Sequence, residues 1–290
     1  MALTRREFLK AASALAAALA VRGRPVFATT EGGGAPPVVW LQAQGCSGCS
    51  VSLLNTIHYM DIVGLLAATI DLKYHPTVMA AAEDLAIEQA LSASGYVLVV
   101  EGAIPTGRYA ECCYLWPELT ALEGVQLFAQ NATAVLAVGT CASFGGLVAG
   151  RPNPTRASSV GECVGRDSVI NIPGCPAHPD WIVGTVAALL GGQAPQLDAL
   201  RRPKLFFNNQ VHEQCPNRNN QERCLKPFGC NGQKTRADCP VRQWNASSEG
   251  GFGVNWCVGA GNPCQGCTEP DFPDGMSPFY NIQGKGKTKQ

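Results

Sequence analysis

Apolar positions in the first two thirds of the chain fall into five short runs, at residues 38–43, 70–74, 96–100, 134–138 and 169–172. Each is rich in aliphatic or β-branched residues and bounded by Gly, Pro or Asn, as buried parallel strands are. Helix-like stretches lie between them, at 51–66, 78–93, 118–130 and 181–190. Alternating strands and helices predict an α/β fold, a flavodoxin-like doubly wound parallel sheet, over residues 37–195. The pattern then stops. Residues 203–282 are rich in Asn, Gly, Pro and Cys with little hydrophobic periodicity, so something other than an apolar core is expected to hold them. The boundary falls near 195–203.

The first residues read differently again. Arg5 and Arg6 precede an apolar, alanine-rich run at 11–21. That run is shorter than the roughly 18–20 residues a bilayer span needs, so it reads as a twin-arginine export signal covering residues 1–28. Ala28 offers the small residue a cleavage site wants. Export implies a periplasmic location, and no other stretch is long and apolar enough to be a span, so the mature chain is expected to have no transmembrane segment. Cleavage would leave 17 basic against 21 acidic residues, a formal charge of −4 in place of 0. A mildly acidic chain argues against nucleic acid as a partner and suits a basic one.

Fourteen cysteines change the picture most. Eleven of them group with one histidine into three sets of four: Cys46, Cys49, Cys141 and Cys175; His212, Cys215, Cys224 and Cys230; Cys239, Cys257, Cys264 and Cys267. Cys46 and Cys49 follow the first predicted strand, Glu101 the third, Cys141 the fourth and Cys175 the fifth. Open α/β sheets bind ligands at the carboxyl ends of their strands, so four distant cysteines should meet in one crevice. Disulfide scaffolds are small and loop-rich, unlike residues 38–200. Zinc uses C-x-x-C pairs equally well. A twin-arginine address goes with cargo folded around a cofactor, and twelve soft or borderline donors in fours match three iron–sulfur clusters. In the cysteine-rich region such clusters would act as staples.

The strings Gly45-Cys46-Ser47-Gly48-Cys49-Ser50, Gly139-Thr140-Cys141-Ala142 and Pro173-Gly174-Cys175-Pro176-Ala177-His178-Pro179 resemble the small subunit of nickel–iron hydrogenases. So do His212-Glu213-Gln214-Cys215-Pro216, Gly229-Cys230-Asn231-Gly232, Asp238-Cys239-Pro240 and Cys264-Gln265-Gly266-Cys267, in family order over nearly the whole chain. The resemblance implies an irregular iron–sulfur domain after the sheet. It assigns Cys46, Cys49, Cys141 and Cys175 to a proximal 4Fe–4S cluster and His212, Cys215, Cys224 and Cys230 to a distal one. Cys239, Cys257, Cys264 and Cys267 would hold a medial cluster. Many members carry proline where this chain has Cys257, and their medial cluster is 3Fe–4S. A fourth thiolate implies 4Fe–4S here, as in the nickel–iron–selenium branch.

The implied function is an uptake-type hydrogenase working as a heterodimer. A separate large subunit bears the nickel–iron (or nickel–iron–selenium) site, and this chain passes electrons to a soluble multihaem cytochrome c. No residue of this chain is expected to be a general acid or base for that reaction. The extra cysteines that oxygen-tolerant members place around the proximal cluster are absent; Ser47, Gly48 and residues 142–146 stand there instead. Cys112, Cys113 and Cys163 match no ligand position. His58, His75 and His178 read as structural. Glu101 could tune a cluster, meet the large subunit or cap a helix, and Ser47 could bond a sulfur or face the partner. Two rivals stand beside this reading. One is the related cluster-bearing subunit of respiratory complex I, whose members lack the region 212–267; the other is a zinc-stabilised binding module.

Overall fold

The computed structural model describes residues 35–165, 167, 169–244 and 255–277. The expected signal at 1–28 and the end of the expected second domain lie outside the described residues. Among the described residues no helix is long and apolar enough to cross a membrane.

Five parallel strands form the sheet: β1 (Pro37–Gln42), β2 (Asp71–Tyr74), β3 (Val97–Glu101), β6 (Ala134–Val138) and β7 (Ile170–Ile172), in spatial order β2-β1-β3-β6-β7. A small hairpin, β4 (Tyr114–Trp116) with β5 (Leu119–Thr120), stands apart from it. Counting only sheet strands, the order is 2-1-3-4-5, the flavodoxin-type winding with its switch point between β1 and β3. Every residue of β3 is buried. Alternate side chains go to opposite faces. Val38, Trp40, Val97, Val99, Leu136, Val138 and Ile172 enter one core, and Val39, Leu41, Leu98, Val100, Val135 and Ala137 the other.

The second core is closed by α3 (Glu83–Ser92), α4 (Ala121–Asn131) and α6 (Val160–Val164). The first is closed by α1 (Gly48–Leu54), α2 (Ile62–Gly64) with the wide turn Leu65–Thr69, and α7 (Pro179–Leu190). The cysteine-rich region joins that same core through Phe206, Phe207, Val211, Trp256 and Val258. It contributes α8 (Lys204–Phe207), α9 (Val211–Gln214) and α10 (Cys239–Arg242).

Three helices differ from their sequence reading. The stretch at 51–66 breaks because Asn55 closes α1, its side chain turning back to the Val51 carbonyl at 2.7 Å, and Asp61 caps a new turn on the Gly64 amide at 2.7 Å. The stretch at 78–93 begins late because His75 folds the chain into a turn, accepting the Thr77 amide at 3.1 Å and donating its own amide to the Met79 sulfur at 3.3 Å. The stretch at 118–130 starts as the hairpin and becomes helix only after the Thr120–Glu123 capping box.

Two arginines fasten the cysteine-rich region. Arg202 is 2% exposed, ion-paired to Asp198 at 2.8 Å and Glu269 at 2.9 Å, and donates to the Thr268 carbonyl. Arg242 pairs with Asp180 at 2.9 Å and Asp238 at 2.7 Å and lies over the Phe206 ring. Removing one partner of a buried pair leaves uncompensated charge. Arg202→Met is therefore expected to destabilise the protein by about 3–5 kcal/mol, read as a lowered unfolding midpoint; a loss under about 1 kcal/mol would mean the carboxylates find solvent.

Candidate iron–sulfur centre

The sheet delivers the first four cysteines to one place. In register, Gln42 pairs with Glu101, Glu101 with Val138, and Val138 with Ile172, so four strands end level. Past those ends the loops stay tied, with the Gln44 and Ala103 amides and carbonyls bonded to each other at 2.8 and 3.0 Å. Cys46 and Cys49 follow on the turn into α1, Cys141 lies in α5 (Gly139–Phe144) directly after β6, and Cys175 follows β7. Ser47 takes a left-handed conformation at φ 60° to open α1 and accepts the Gln42 amide at 2.5 Å.

The four sulfurs lie within electrostatic reach of one another: Cys49 feels Cys141 and Cys175, and Cys46 is felt by both Cys141 and Cys175. Burial pushes the Cys49 thiol well up, with Glu101 adding to the effect, and burial takes Cys175 to about 11. Cys141 is raised by burial and lowered by the amides of Val148 and Leu147. The cage also needs empty space. At Gly139, with φ +85°, a Cβ would sit 2.5 Å from the Cys49 sulfur.

Cys239, Cys257, Cys264 and Cys267 form a second group, Cys239 feeling each of the other three. Burial drives Cys239 and Cys267 upward and takes Cys264 to about 11. Thr235, which sequence reading passed over, is buried with its hydroxyl 3.6 Å from the Cys264 sulfur. Cys215, Cys224 and Cys230 form a third group, with Cys215 raised by burial and by the other two. His212 sits one turn before Cys215, its amide on the Gly232 carbonyl at 2.9 Å and its carbonyl accepting the Cys215 amide at 3.2 Å.

The groups touch in sequence. The Cys175 amide bonds the Cys267 sulfur, and Thr140, which accepts the Gly174 amide at 2.8 Å, donates to the Cys267 carbonyl. At the other end the Cys264 amide donates to the Cys230 sulfur at 3.3 Å, and the Asn231 amide to the Cys264 carbonyl at 2.8 Å. The 239/257/264/267 group therefore lies between the other two. All fourteen cysteines are free of disulfides.

Comparison with known proteins follows this division. Residues 46–189 match the family of the NADH ubiquinone oxidoreductase 20 kDa subunit, and residues 201–280 match the C-terminal family of the NiFe/NiFeSe hydrogenase small subunit. The periplasmic [NiFeSe] hydrogenase small subunit of Desulfomicrobium baculatum is 41% identical, over 97% of this chain and 99% of its own length. The chain belongs to the small-subunit family of NiFe/NiFeSe hydrogenases. The periplasmic [NiFe] hydrogenase small subunit of Solidesulfovibrio fructosivorans is 37% identical over 96% of this chain and 93% of its own. Among solved structures, the reduced, active Ni-Fe-Se hydrogenase from Desulfomicrobium baculatum aligns with a TM-score of 0.77 and 39% identity, covering 85% of this chain and 99% of that one. The enzyme class is hydrogenase, with the catalytic site on the large subunit with which a small subunit pairs.

The donor set of this hydrogenase small subunit fits iron–sulfur clusters. The cysteines of each group are free, gathered and mostly sunk where a neutral thiol is favoured, so a metal that takes thiolates releases protons on binding. Backbone amides aimed at Cys49, Cys230 and Cys267 are the donors that tune such clusters. Among the described residues no three His, Cys, Asp or Glu side chains converge on a single-ion site.

Glu101 has the fullest set of partners. Its Oε1 accepts the amides of Cys49 at 2.8 Å and Ser50 at 3.2 Å; its Oε2 accepts the Trp40 indole at 3.2 Å and the Ser50 hydroxyl at 2.5 Å. It is thus a helix cap that also stands beside a cage sulfur. Ser50 in turn meets His75 Nε2 at 3.2 Å. His178 is structural, accepting the Asp180 amide at 3.1 Å and donating to the Gln243 carbonyl at 2.6 Å. His58 packs edge-on to Tyr59. Cys112 is exposed and Cys113 half-buried. Cys163, raised to about 11 by burial and Glu162, packs in the second core.

Crowding at Gly139 predicts that Gly139→Ala lowers both the unfolding midpoint, by about 1–3 kcal/mol of overpacking, and the iron retained on purification. Unaltered iron and stability would show that the cage yields. Burial holds His75 at about 4 against 6.5 when unfolded. Between those values the unfolded chain binds the extra proton, so His75 stabilises above pH 6.5 and its share is lost as pH falls toward 4. That share is about 3 kcal/mol, and in melts across this window His75→Gln is expected to flatten the decline. An identical pH profile for the variant would refute it.

Proposed function

We propose that this hydrogenase small subunit holds three iron–sulfur clusters, all 4Fe–4S, and passes electrons between the large subunit's nickel site and a soluble multihaem cytochrome c. Cys46, Cys49, Cys141 and Cys175 would hold the proximal cluster. Cys239, Cys257, Cys264 and Cys267 would hold the medial, and His212, Cys215, Cys224 and Cys230 the distal. The carrying observation is the order of contact, in which the medial group touches the other two through the Cys175–Cys267 and Cys230–Cys264 bonds. When bound, each cluster supplies a one-electron store. The chain's own part is to hold the thiolates, exclude water around them and aim amides at their sulfurs.

The proximal end fits a permanent partner. Cys46 is exposed there, and Val51, Leu54 and Ile57 on and just after α1 present apolar surface at 56%, 42% and 51% exposure. Obligate interfaces are the more apolar kind. Twin-arginine export of residues 1–28 and a periplasmic location complete the proposal, in keeping with relatives named as periplasmic. The rival complex I reading accounts for 46–189 alone, and the match at 201–280 favours the hydrogenase assignment.

The test is purification of the intact heterodimer with iron analysis, hydrogen-driven reduction of a cytochrome c, and EPR on one sample. About twelve irons per small subunit are expected, with no 3Fe–4S signal at one spin per protein in the oxidised enzyme. Cys257→Pro should create that signal. Its presence in the unaltered enzyme, or a colourless iron-free heterodimer, would refute the proposal.

A further inference from the structure

The Ser50 hydroxyl has one proton and two neighbours that could take it, His75 Nε2 at 3.2 Å and Glu101 Oε2 at 2.5 Å. The choice is made at His75. Its Nδ1 accepts the Thr77 amide at 3.1 Å, so in the neutral ring the proton sits on Nε2 and points at Ser50. The Ser50 hydroxyl must then donate onward to Glu101. His75, Ser50 and Glu101 are all buried, at 1%, 2% and 3% exposure. The Trp40 ring, whose indole also donates to Glu101, packs 5.2 Å from the His75 ring and restricts it further.

The relay of bonds therefore runs from Thr77 through His75 and Ser50 to a carboxylate that touches the Cys49 amide. Both Glu101 oxygens are fully engaged, and the group cannot swing away from the cage. A fixed negative charge in a poorly screened site favours the more oxidised state of a neighbouring redox centre. Glu101 already acts in this sense on the Cys49 sulfur, disfavouring its thiolate.

We propose that His75 is a positioning residue that, through Ser50, locks the Glu101 carboxylate beside Cys49 and so lowers the reduction potential of the proximal cluster. This rests on the assignment of that cluster to Cys46, Cys49, Cys141 and Cys175. A lower potential at the first station favours onward passage of an electron to the medial group.

The experiment is an EPR-monitored redox titration of the anaerobic holo-heterodimer. His75→Leu, Ser50→Ala and Glu101→Gln should each shift the proximal midpoint upward while leaving the medial and distal midpoints in place. His75→Gln, whose amide can donate where Nε2 did, should restore most of the wild-type value. The double variant His75→Leu/Glu101→Gln should move no further than Glu101→Gln alone, since the histidine acts only through the carboxylate. Ser50→Ala changes little volume and keeps the test open if His75→Leu fails to assemble. The proposal is overturned if Glu101→Gln leaves the proximal midpoint unmoved, or if Glu101→Gln moves it and Ser50→Ala does not. An unaltered heterodimer with no proximal signal at any potential would instead defeat the cluster assignment beneath it, so the two failures are distinct.

Discussion

A thiol sunk below a protein surface keeps its proton, and a crowd of such thiols keeps theirs more firmly still. That constraint governs this chain. Burial raises Cys49, Cys141, Cys175, Cys215, Cys239, Cys264 and Cys267, and within each group the neighbouring sulfurs raise one another. A metal that takes thiolates from such groups would add its binding free energy to that of folding. The amides aimed at sulfur, the glycine that makes room at Cys49 and the absence of disulfides among the described cysteines are consistent with that one requirement.

The cysteine-rich region meets the requirement without an independent core. It lends apolar side chains, Phe206, Phe207, Val211, Ala237, Trp256 and Val258 among them, to the first face of the sheet and anchors the rest by charge. Arg202 joins residues 198 and 269, and Arg242 joins α7 to α10. Buried pairs of this kind contribute little net stability compared with apolar packing, but they fix geometry, since each leaves a costly orphan when misaligned. Fixed geometry is what the proposed chain of neighbouring redox sites would require.

The sheet strands were legible as short runs rich in aliphatic residues, most clearly β3, which is buried along its whole length, and least clearly β2, whose Asp71 and Lys73 interrupt the apolar pattern at the sheet edge. The meeting of Cys46, Cys49, Cys141 and Cys175 was legible too, since strand order and strand ends determine it. Helix limits were less so. They turn on single polar side chains such as Asn55, Asp61 and His75, whose bonds depend on where the chain folds back. Glu101 was visible as a strand-end carboxylate with three open roles, but its partners Trp40, Cys49 and Ser50 lie 61, 52 and 51 residues away. Arg202 and Glu269, 67 residues apart, left no local pattern at all. Thr235 looked like any threonine in a loop.

The level ending of β1, β3, β6 and β7 has an evolutionary side. A strand advances about 3.3 Å per residue and turns its side chains over at each step. One residue gained or lost between Gln42 and Cys46, or between Val138 and Cys141, would carry a donor out of register with the strand ends that place it in the cage. No such limit applies where the chain re-enters the sheet at 93–96 and 132–133, far from any cage donor. Length variation among descendants of this fold should accumulate along that trailing edge, leaving the leading one frozen to the residue.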